Sequence, residues 1–166
     1  MDGGVAPGTG ARQPVSVVSN ASPLIACERL GLAQVYATLF GEVHIPPAVR
    51  HEVFATAVLP SWVREQPVSQ PLAAQLLQGR LGAGEREALA LALEVQADLV
   101  LMDELAGRRI ATSVGLRLMG TLGVLLLAKR HQLISAVKPL IDQLLAVGFY
   151  ADDELVQQVV EAAGER

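Results

Sequence analysis

The chain has 166 residues, of which 51% are hydrophobic and only 4% aromatic, and its formal net charge is −4. This length suits one domain with an aliphatic core, and the hydrophobic fraction excludes a largely disordered protein. The acidic balance argues against a broadly basic nucleic-acid binder, so a nucleic acid would need a local basic patch and the help of a bound cation.

The N-terminal segment and the single cysteine bear on location. Residues 1–14 are rich in Gly, Ala and Pro and lack the apolar core of a signal peptide, so we predict a flexible tail. No apolar run reaches membrane-spanning length, and we expect a cytoplasmic protein without membrane contact. Because Cys27 is the single cysteine, we interpret it as a small buried apolar residue.

Residues 15–166 are expected to form one domain in which short apolar runs alternate with helical patterns. The apolar runs predict strands at 15–19, 42–45, 98–102 and 116–119. Helices are predicted at 23–30, 32–40, 46–58, 71–78, 85–96, 103–115, 120–132, 135–148 and 152–164. The segment between Pro60 and Pro71 is interpreted as loose.

The predicted strands are apolar throughout instead of alternating apolar with polar residues. Strands of this kind are buried on both faces, which is typical of a parallel sheet covered by helices on each side. The order of elements therefore favours a three-layer α/β/α fold, with three closing helices at the C-terminus.

Polar residues follow two of the predicted strands directly. Asn20 ends the first apolar run, and Asp103 comes immediately after the strand at 98–102. In a parallel α/β sheet both strand ends open on the same crevice, where ligands bind. Ser22 is predicted to cap the following helix, with Pro23 at its first position.

Two glutamates are expected to join this crevice. Glu85 begins an otherwise apolar helix, and Glu52 lies on the helix opened by Pro46 and Pro47. Each has a structural alternative, because a first-turn carboxylate favours the helix dipole and a surface helix accepts a solvated glutamate. Taken together with Asp103, they form a set of carboxylates whose mutual repulsion a bound Mg²⁺ or Mn²⁺ would offset.

Other chemistries lack their motifs. The sequence contains no GxxxxGK[ST] phosphate loop, no GxSxG nucleophile turn and no HExxH zinc motif. His44, His51 and His131 stand in no metal-ligand spacing and are interpreted as packed or solvated.

Three stretches carry a resemblance to a known family: VVSNASPLIACERLG, FGEVHIPPAVRHEV and the long run from GAGEREALALAL through LVLMDELAGRR to GVLLLAKR. Over roughly residues 15–160 the chain resembles the PIN domain, in particular a prokaryotic branch related to the ribonuclease toxins of toxin–antitoxin systems. The resemblance implies a parallel sheet of four or five strands and a metal-dependent ribonuclease activity.

Carried over position by position, the resemblance implies catalytic roles for Asn20, Glu52, Glu85 and Asp103. The three acids would bind Mg²⁺ or Mn²⁺, and Asn20 stands where the fold usually has an acid. Ser22, Arg108 and Arg109 are the candidates for substrate binding. The two arginines have a structural alternative as solvated residues or ion-pair partners of Glu104.

Three functions are weighed on this basis. The first is a ribonuclease toxin that acts on single-stranded or structured RNA and is bound by a small antitoxin protein. The second is a PIN-fold module that has lost catalysis through Asn20 and binds RNA or a protein. The third, a small-molecule α/β enzyme using Asp103, is disfavoured because the phosphate loop is missing. The closing helices carry more apolar residues than one sheet face is expected to cover, which favours a homodimer. These residues are Leu125, Leu126, Leu127, Leu140, Ile141, Leu144 and Leu145.

Overall fold

A computed structural model describes residues 15–70 and 79–166. The strands are β1 Val17–Ser19, β2 Val43–Ile45, β3 Val63–Glu65, β4 Leu99–Leu101 and β5 Leu118–Met119. The helices are α1 Ala21–Leu30, α2 Ala33–Phe40, α3 Pro47–Phe54, α4 Ala83–Glu94, α5 Leu105–Ser113, α6 Thr121–Arg130, α7 Lys138–Ala146 and α8 Asp153–Ala162. The predicted tail at 1–14 and the predicted helix at 71–78 lie outside the described residues.

The five strands form one all-parallel sheet in the order β3-β2-β1-β4-β5. The central strand β1 pairs with β2 on one side and with β4 on the other, so that Val18 stands level with both His44 and Val100. The chain therefore winds outward from β1 in both directions. The order of strands reverses between β1 and β4, which is where the carboxyl ends of such a sheet open into a crevice.

Helices cover both faces of this sheet. Val17 and Leu101 belong to the core cluster under α1, α2 and the three closing helices. Val18 and Val100 point the opposite way, into the cluster formed with α4 and α5. Successive strand residues alternate between the faces because side chains along a strand have a period of two. The predicted three-layer α/β/α architecture with apolar strands is confirmed.

Two parts of the fold differ from the prediction. The strand β3 lies in the segment interpreted as loose. It has no apolar run to reveal it, because it is an edge strand in which Val63 is buried while Arg64 and Glu65 are exposed. The predicted helix at 46–58 ends early, at Phe54, because Ala55 takes a positive φ of 48° that stops the α-helical turn.

The apolar residues of the closing helices are largely covered by the chain itself. Leu125, Ile141 and Leu144 are buried, whereas Leu145 remains 38% exposed. Most of the surface that favoured a homodimer is thus used inside the fold, and the dimer stays a prediction. Within the described residues, no helix combines the length and the apolar character needed to cross a membrane.

Candidate functional site

A cleft of about 720 Å³ opens at the carboxyl ends of β1 and β4. We call it the acid cleft, and it is defined by Asn20, Glu52, Glu85, Asp103 and Glu104. The four residues predicted for catalysis all line it. Its position follows from the topology, because the loops after β1 and β4 leave the sheet at the point where the strand order reverses.

Asp103 is fixed at the head of this cleft by three hydrogen-bond donors. The backbone N–H of Thr121 donates to Oδ1 at 2.7 Å, the Thr121 hydroxyl donates to Oδ2 at 2.6 Å, and the Ser22 hydroxyl donates to Oδ2 at 3.0 Å. The first of these is a first-turn amide of α6, which has no partner within its own helix. Helices α1 and α6 thus both donate hydrogen bonds to the half-buried carboxylate of Asp103 and set its orientation.

Asn20 has a different role from the one expected. Its side-chain oxygen accepts a hydrogen bond from the Ser22 N–H at 3.3 Å, so Asn20 caps α1 and the prediction of Ser22 as the cap is wrong. The side-chain nitrogen donates to Glu104 Oε2 at 2.8 Å. With its own N–H donating to the Leu101 carbonyl, Asn20 is 2% exposed and tied to both strand ends.

Glu104 is the site residue that sequence reasoning missed. It lies next to Asp103 and was considered only as a partner of the arginines, but no ion pair joins it to Arg108 or Arg109 in the part of the chain that the structure describes. Its partner is Asn20, which lies 84 positions earlier in the chain. The pair of adjacent acids after β4 was the signal available in the sequence.

The carboxylates of the acid cleft perturb one another. Burial raises the pKa of Glu85 above its usual value, and the nearby charges of Glu104 and Glu52 raise it further, while a hydrogen bond from the backbone of Gly82 opposes them. A methyl group added at Gly84 would lie 2.9 Å from Glu52 Oε2, so that carboxylate rests against the first turn of α4. The positive end of that helix favours a negative charge there.

The donor chemistry of the cleft suits a hard divalent cation, because every candidate ligand is an oxygen atom. In residues 15–70 and 79–166, no three His, Cys, Asp or Glu side chains are close enough together to hold a metal ion jointly. Magnesium commonly binds through one or two carboxylates and retains several waters. A pair drawn from Asp103, Glu85, Glu104 and Glu52 therefore fits such an ion.

Of the two arginines predicted for substrate binding, one lines a cleft and the other does not. Arg108 is half-buried, donates to the Met102 carbonyl at 3.0 Å and lines a second cleft of about 550 Å³. We call this the arginine cleft, and it is defined by Asp103, Leu105, Arg108, Arg130 and Tyr150. Arg109 is exposed and lines neither cleft.

The remaining candidates for other chemistries stay away from the acid cleft. His44 lies in the inner strand β2 and contacts Glu42 at 3.1 Å, and neither His51 nor His131 lines either cleft. Burial raises the pKa of the Cys27 thiol to about 12, so this side chain is a neutral apolar group at physiological pH. Cys27 is buried, as predicted.

The fold and the acid cleft define a small parallel α/β domain in which carboxylates from loops and helices line the crevice at the strand ends. The sequence model of the family DUF3368, described as a PIN domain, matches residues 16–165, and the chain therefore belongs to this PIN-domain family. Comparison with curated proteins and with solved structures gave no significant match.

This membership confirms the predicted family and gives the chain a nuclease-type fold. PIN domains are generally nucleases and typically use divalent metal ions, which agrees with the oxygen-rich lining of the acid cleft. The particular substrate and the roles of individual residues are matters for proposal.

Proposed function

We propose that this protein is a metal-dependent endoribonuclease that hydrolyses RNA phosphodiester bonds in the acid cleft with Mg²⁺ or Mn²⁺. The observation that carries the proposal is the carboxylate of Asp103, which Thr121 and Ser22 hold by hydrogen bonds in a cleft that Glu85, Glu104 and Glu52 also line. A polar network built around one acid at a strand-end crevice is the arrangement expected of a catalytic site.

The residues of the cleft divide into two roles in this proposal. Two carboxylates drawn from Asp103, Glu85 and Glu52 would supply oxygens for the metal ion, with water completing its coordination. The bound ion would activate water and neutralise charge that develops on the phosphate. Asn20 does not add a charge. Its amide holds Glu104 at the edge of the same cleft, so it acts by positioning a carboxylate.

We further propose that the nuclease is the toxin of a toxin–antitoxin pair, bound by a small antitoxin protein. This finer assignment rests on the likeness to PIN ribonuclease toxins. It predicts that expression of the wild-type chain in a bacterial host slows growth, while Asp103→Asn, expressed to the same level, does not. Equal growth with both chains would remove the toxin assignment and leave the nuclease proposal to the assay below.

The nuclease proposal is tested by RNA cleavage with purified protein. Wild type should cut an RNA oligonucleotide in Mn²⁺ or Mg²⁺ and stop in EDTA. Asp103→Asn should lower the rate by more than about 100-fold, because loss of an outer-shell partner alone costs about 10- to 100-fold. The matched control is Asp142→Asn on α7, where the aspartate is exposed and pairs with Lys138.

A second candidate function is a module that binds RNA or a protein without cutting. It is favoured by the amide of Asn20 at the strand end, and by the absence, within the described ranges, of three acids that could hold a metal together. If wild type neither binds Mn²⁺ in a calorimetric titration nor cuts RNA with either ion, this function replaces the nuclease.

A further inference from the structure

The arginine cleft adjoins the acid cleft along a common wall. Both are lined by Asp103, Leu105 and Tyr150, with Phe149, Ala151 and Leu155 completing the shared boundary. A ligand bound at Asp103 in the acid cleft can therefore extend into the arginine cleft without leaving the surface. Neither the family membership nor the proposed chemistry assigns an occupant to this second cleft.

The two clefts differ in charge. Five carboxylates and one arginine line the acid cleft, namely Glu52, Glu85, Asp103, Glu104, Asp152 and Arg29. The arginine cleft has Arg108 and Arg130 against the single carboxylate of Asp103. Neither of these two arginines forms an ion pair with a carboxylate in residues 15–70 and 79–166. Their charge is available to an anion.

The boundary between the clefts is apolar and open to solvent. Tyr150 is 88% exposed, Leu105 is 63% exposed and Leu155 is 46% exposed. An exposed aromatic ring in the same cleft as arginines that form no ion pair within the described ranges matches single-stranded nucleic acid, because bases stack on aromatic faces while phosphates pair with cations. An apolar peptide would leave the arginines unused.

The spacing suits a short run of nucleotides. Helix α6 runs from the acid cleft to the arginine cleft. Its first residue, Thr121, donates to Asp103, and its last residue, Arg130, lines the arginine cleft. Ten residues of helix span roughly 14 Å between these ends. A strand whose phosphate lies at Asp103 thus has its next phosphates within reach of the arginines.

We propose that the arginine cleft binds the single-stranded RNA segment adjacent to the scissile phosphate, with Arg108 and Arg130 on backbone phosphates and the ring of Tyr150 stacked on a base. The inference rests on the proposed nuclease function and assigns the arginine cleft as the subsite that holds the strand beside the cleaved bond. The net charge of −4 means that this local site, and not the surface as a whole, attracts the strand.

The test is binding of a fluorescein-labelled single-stranded RNA, followed by anisotropy in EDTA so that no cleavage takes place. Tyr150→Ala should weaken binding by about 5- to 150-fold, the range of one lost base stack. Tyr150→Phe, which keeps the ring, should restore most of the affinity. Arg130→Gln should reduce the slope of log K against log salt by about 0.7, as for one phosphate contact.

The matched control is Arg117→Gln, because Arg117 is exposed at the amino end of β5 and lines neither cleft. This change should leave both the affinity and the salt slope as in wild type. A double-stranded RNA of the same sequence should bind more weakly than the single strand, since its bases are not free to stack on Tyr150.

Two results would overturn the inference. One is RNA affinity that is unchanged by both Tyr150→Ala and Arg130→Gln. The other is light scattering in which Tyr150→Ala converts a dimer into a monomer without loss of RNA binding, which would assign the boundary to a second copy of the chain. Because the binding assay contains no metal ion, RNA bound but never cut in Mn²⁺ would sink the nuclease proposal alone.

Discussion

The acid cleft and the arginine cleft share one wall but are built in opposite ways. In the acid cleft two carboxylates are fixed by hydrogen bonds, since Thr121 donates to Asp103 and Asn20 donates to Glu104. In the arginine cleft the groups that meet solvent are an exposed ring and side chains with few partners, such as Tyr150 and Arg130. The first cleft is preorganised, which suits chemistry, and the second is adaptable, which suits the binding of a flexible strand.

The strongest test of the preorganised cleft is Asn20→Asp. The substitution removes the donor that holds Glu104 at 2.8 Å and places a like charge beside it in a site that is 2% exposed. We expect the free energy of unfolding in EDTA at pH 7 to fall by about 2–3 kcal/mol, the scale of a lost hydrogen bond to a charged group. Urea denaturation measures it, and Mn²⁺ should recover part of the loss because a cation offsets the repulsion.

The control for this change is Asn20→Ser, which keeps a side-chain oxygen to cap α1, is too short to reach Glu104, adds no charge and should cost less in EDTA. Stability equal to wild type in Asn20→Asp would mean that Glu104 is not held by Asn20 in solution. The acid cleft would then be less preorganised than the structure indicates.

A second test weakens the hold on Asp103. Thr121→Val removes the hydroxyl that donates at 2.6 Å but leaves the backbone donor in place. We expect RNA cleavage in Mn²⁺ to fall by about 10- to 100-fold, as is typical when the partner of a metal-ligating carboxylate is lost. Thr121→Ser keeps the hydroxyl and serves as the control. If the valine variant cuts RNA as fast as the serine variant, orientation of Asp103 is not limiting.

Gly120 lies where the two clefts meet, so Gly120→Ala probes both at once. An added methyl group would lie 2.9 Å from Arg108 Nη1 and 3.0 Å from Asp103 Oδ1. The arginine end can swing away, whereas the aspartate is held by its donors and must shift by tenths of an ångström. We expect cleavage to fall by roughly tenfold, since even small misplacement of a catalytic group is costly.

Stability should hardly change in this variant, because Gly120 has an ordinary extended φ of −87° and alanine reduces the freedom of the unfolded chain. The control is Gly82→Ala, where the methyl group would meet nothing within 4 Å although Gly82 lines the acid cleft. Both variants are compared by thermal unfolding and by RNA cleavage. An equal loss of activity in the two would show that Gly120 has no special place between the clefts.

The acid cleft was largely predictable from the sequence because its residues follow apolar strands. Asn20 stands directly after β1 and Asp103 two residues after the end of β4, and parallel strands bring such positions to one edge. The role of Asn20 was not predictable. It depends on the side chain of Glu104, and no local pattern states which of two adjacent acids turns toward a residue 84 positions away.

The arginine cleft was not predicted as a site at all. Arg108 was named for the helix after β4, but Arg130 and Tyr150 come from the end of α6 and the loop before α8. They meet only because the closing helices pack back over the sheet edge. The edge strand β3 was missed for a related reason, since one buried residue in Val63–Glu65 leaves no periodic signal.

The smallest expected effect concerns the repulsion inside the acid cleft and is read out by pH. The pKa of Glu85 is raised by burial and then by Glu104 and Glu52, so the folded protein holds this proton more tightly than the unfolded chain does. The stability that this proton contributes is fully present below the ordinary pKa of 4.5 and is lost as the pH rises through the raised pKa.

Glu85→Gln removes the titration of this carboxyl group. In EDTA its melting temperature should exceed that of wild type at pH 7 and approach it at pH 4. Because water screens this partly exposed group, the gain should stay below about 1 kcal/mol, or roughly 2–4 °C. Glu161→Gln, on the exposed face of α8, is the control and should show no such dependence on pH. In Mn²⁺ the order should reverse, since the wild-type carboxylate then gains a cation that the amide binds weakly. A variant whose melting temperature follows the wild-type curve from pH 4 to pH 7 would show that neither burial nor the neighbouring carboxylates disfavour the charged form of Glu85, and the contrast between the two clefts would then rest on hydrogen bonding alone.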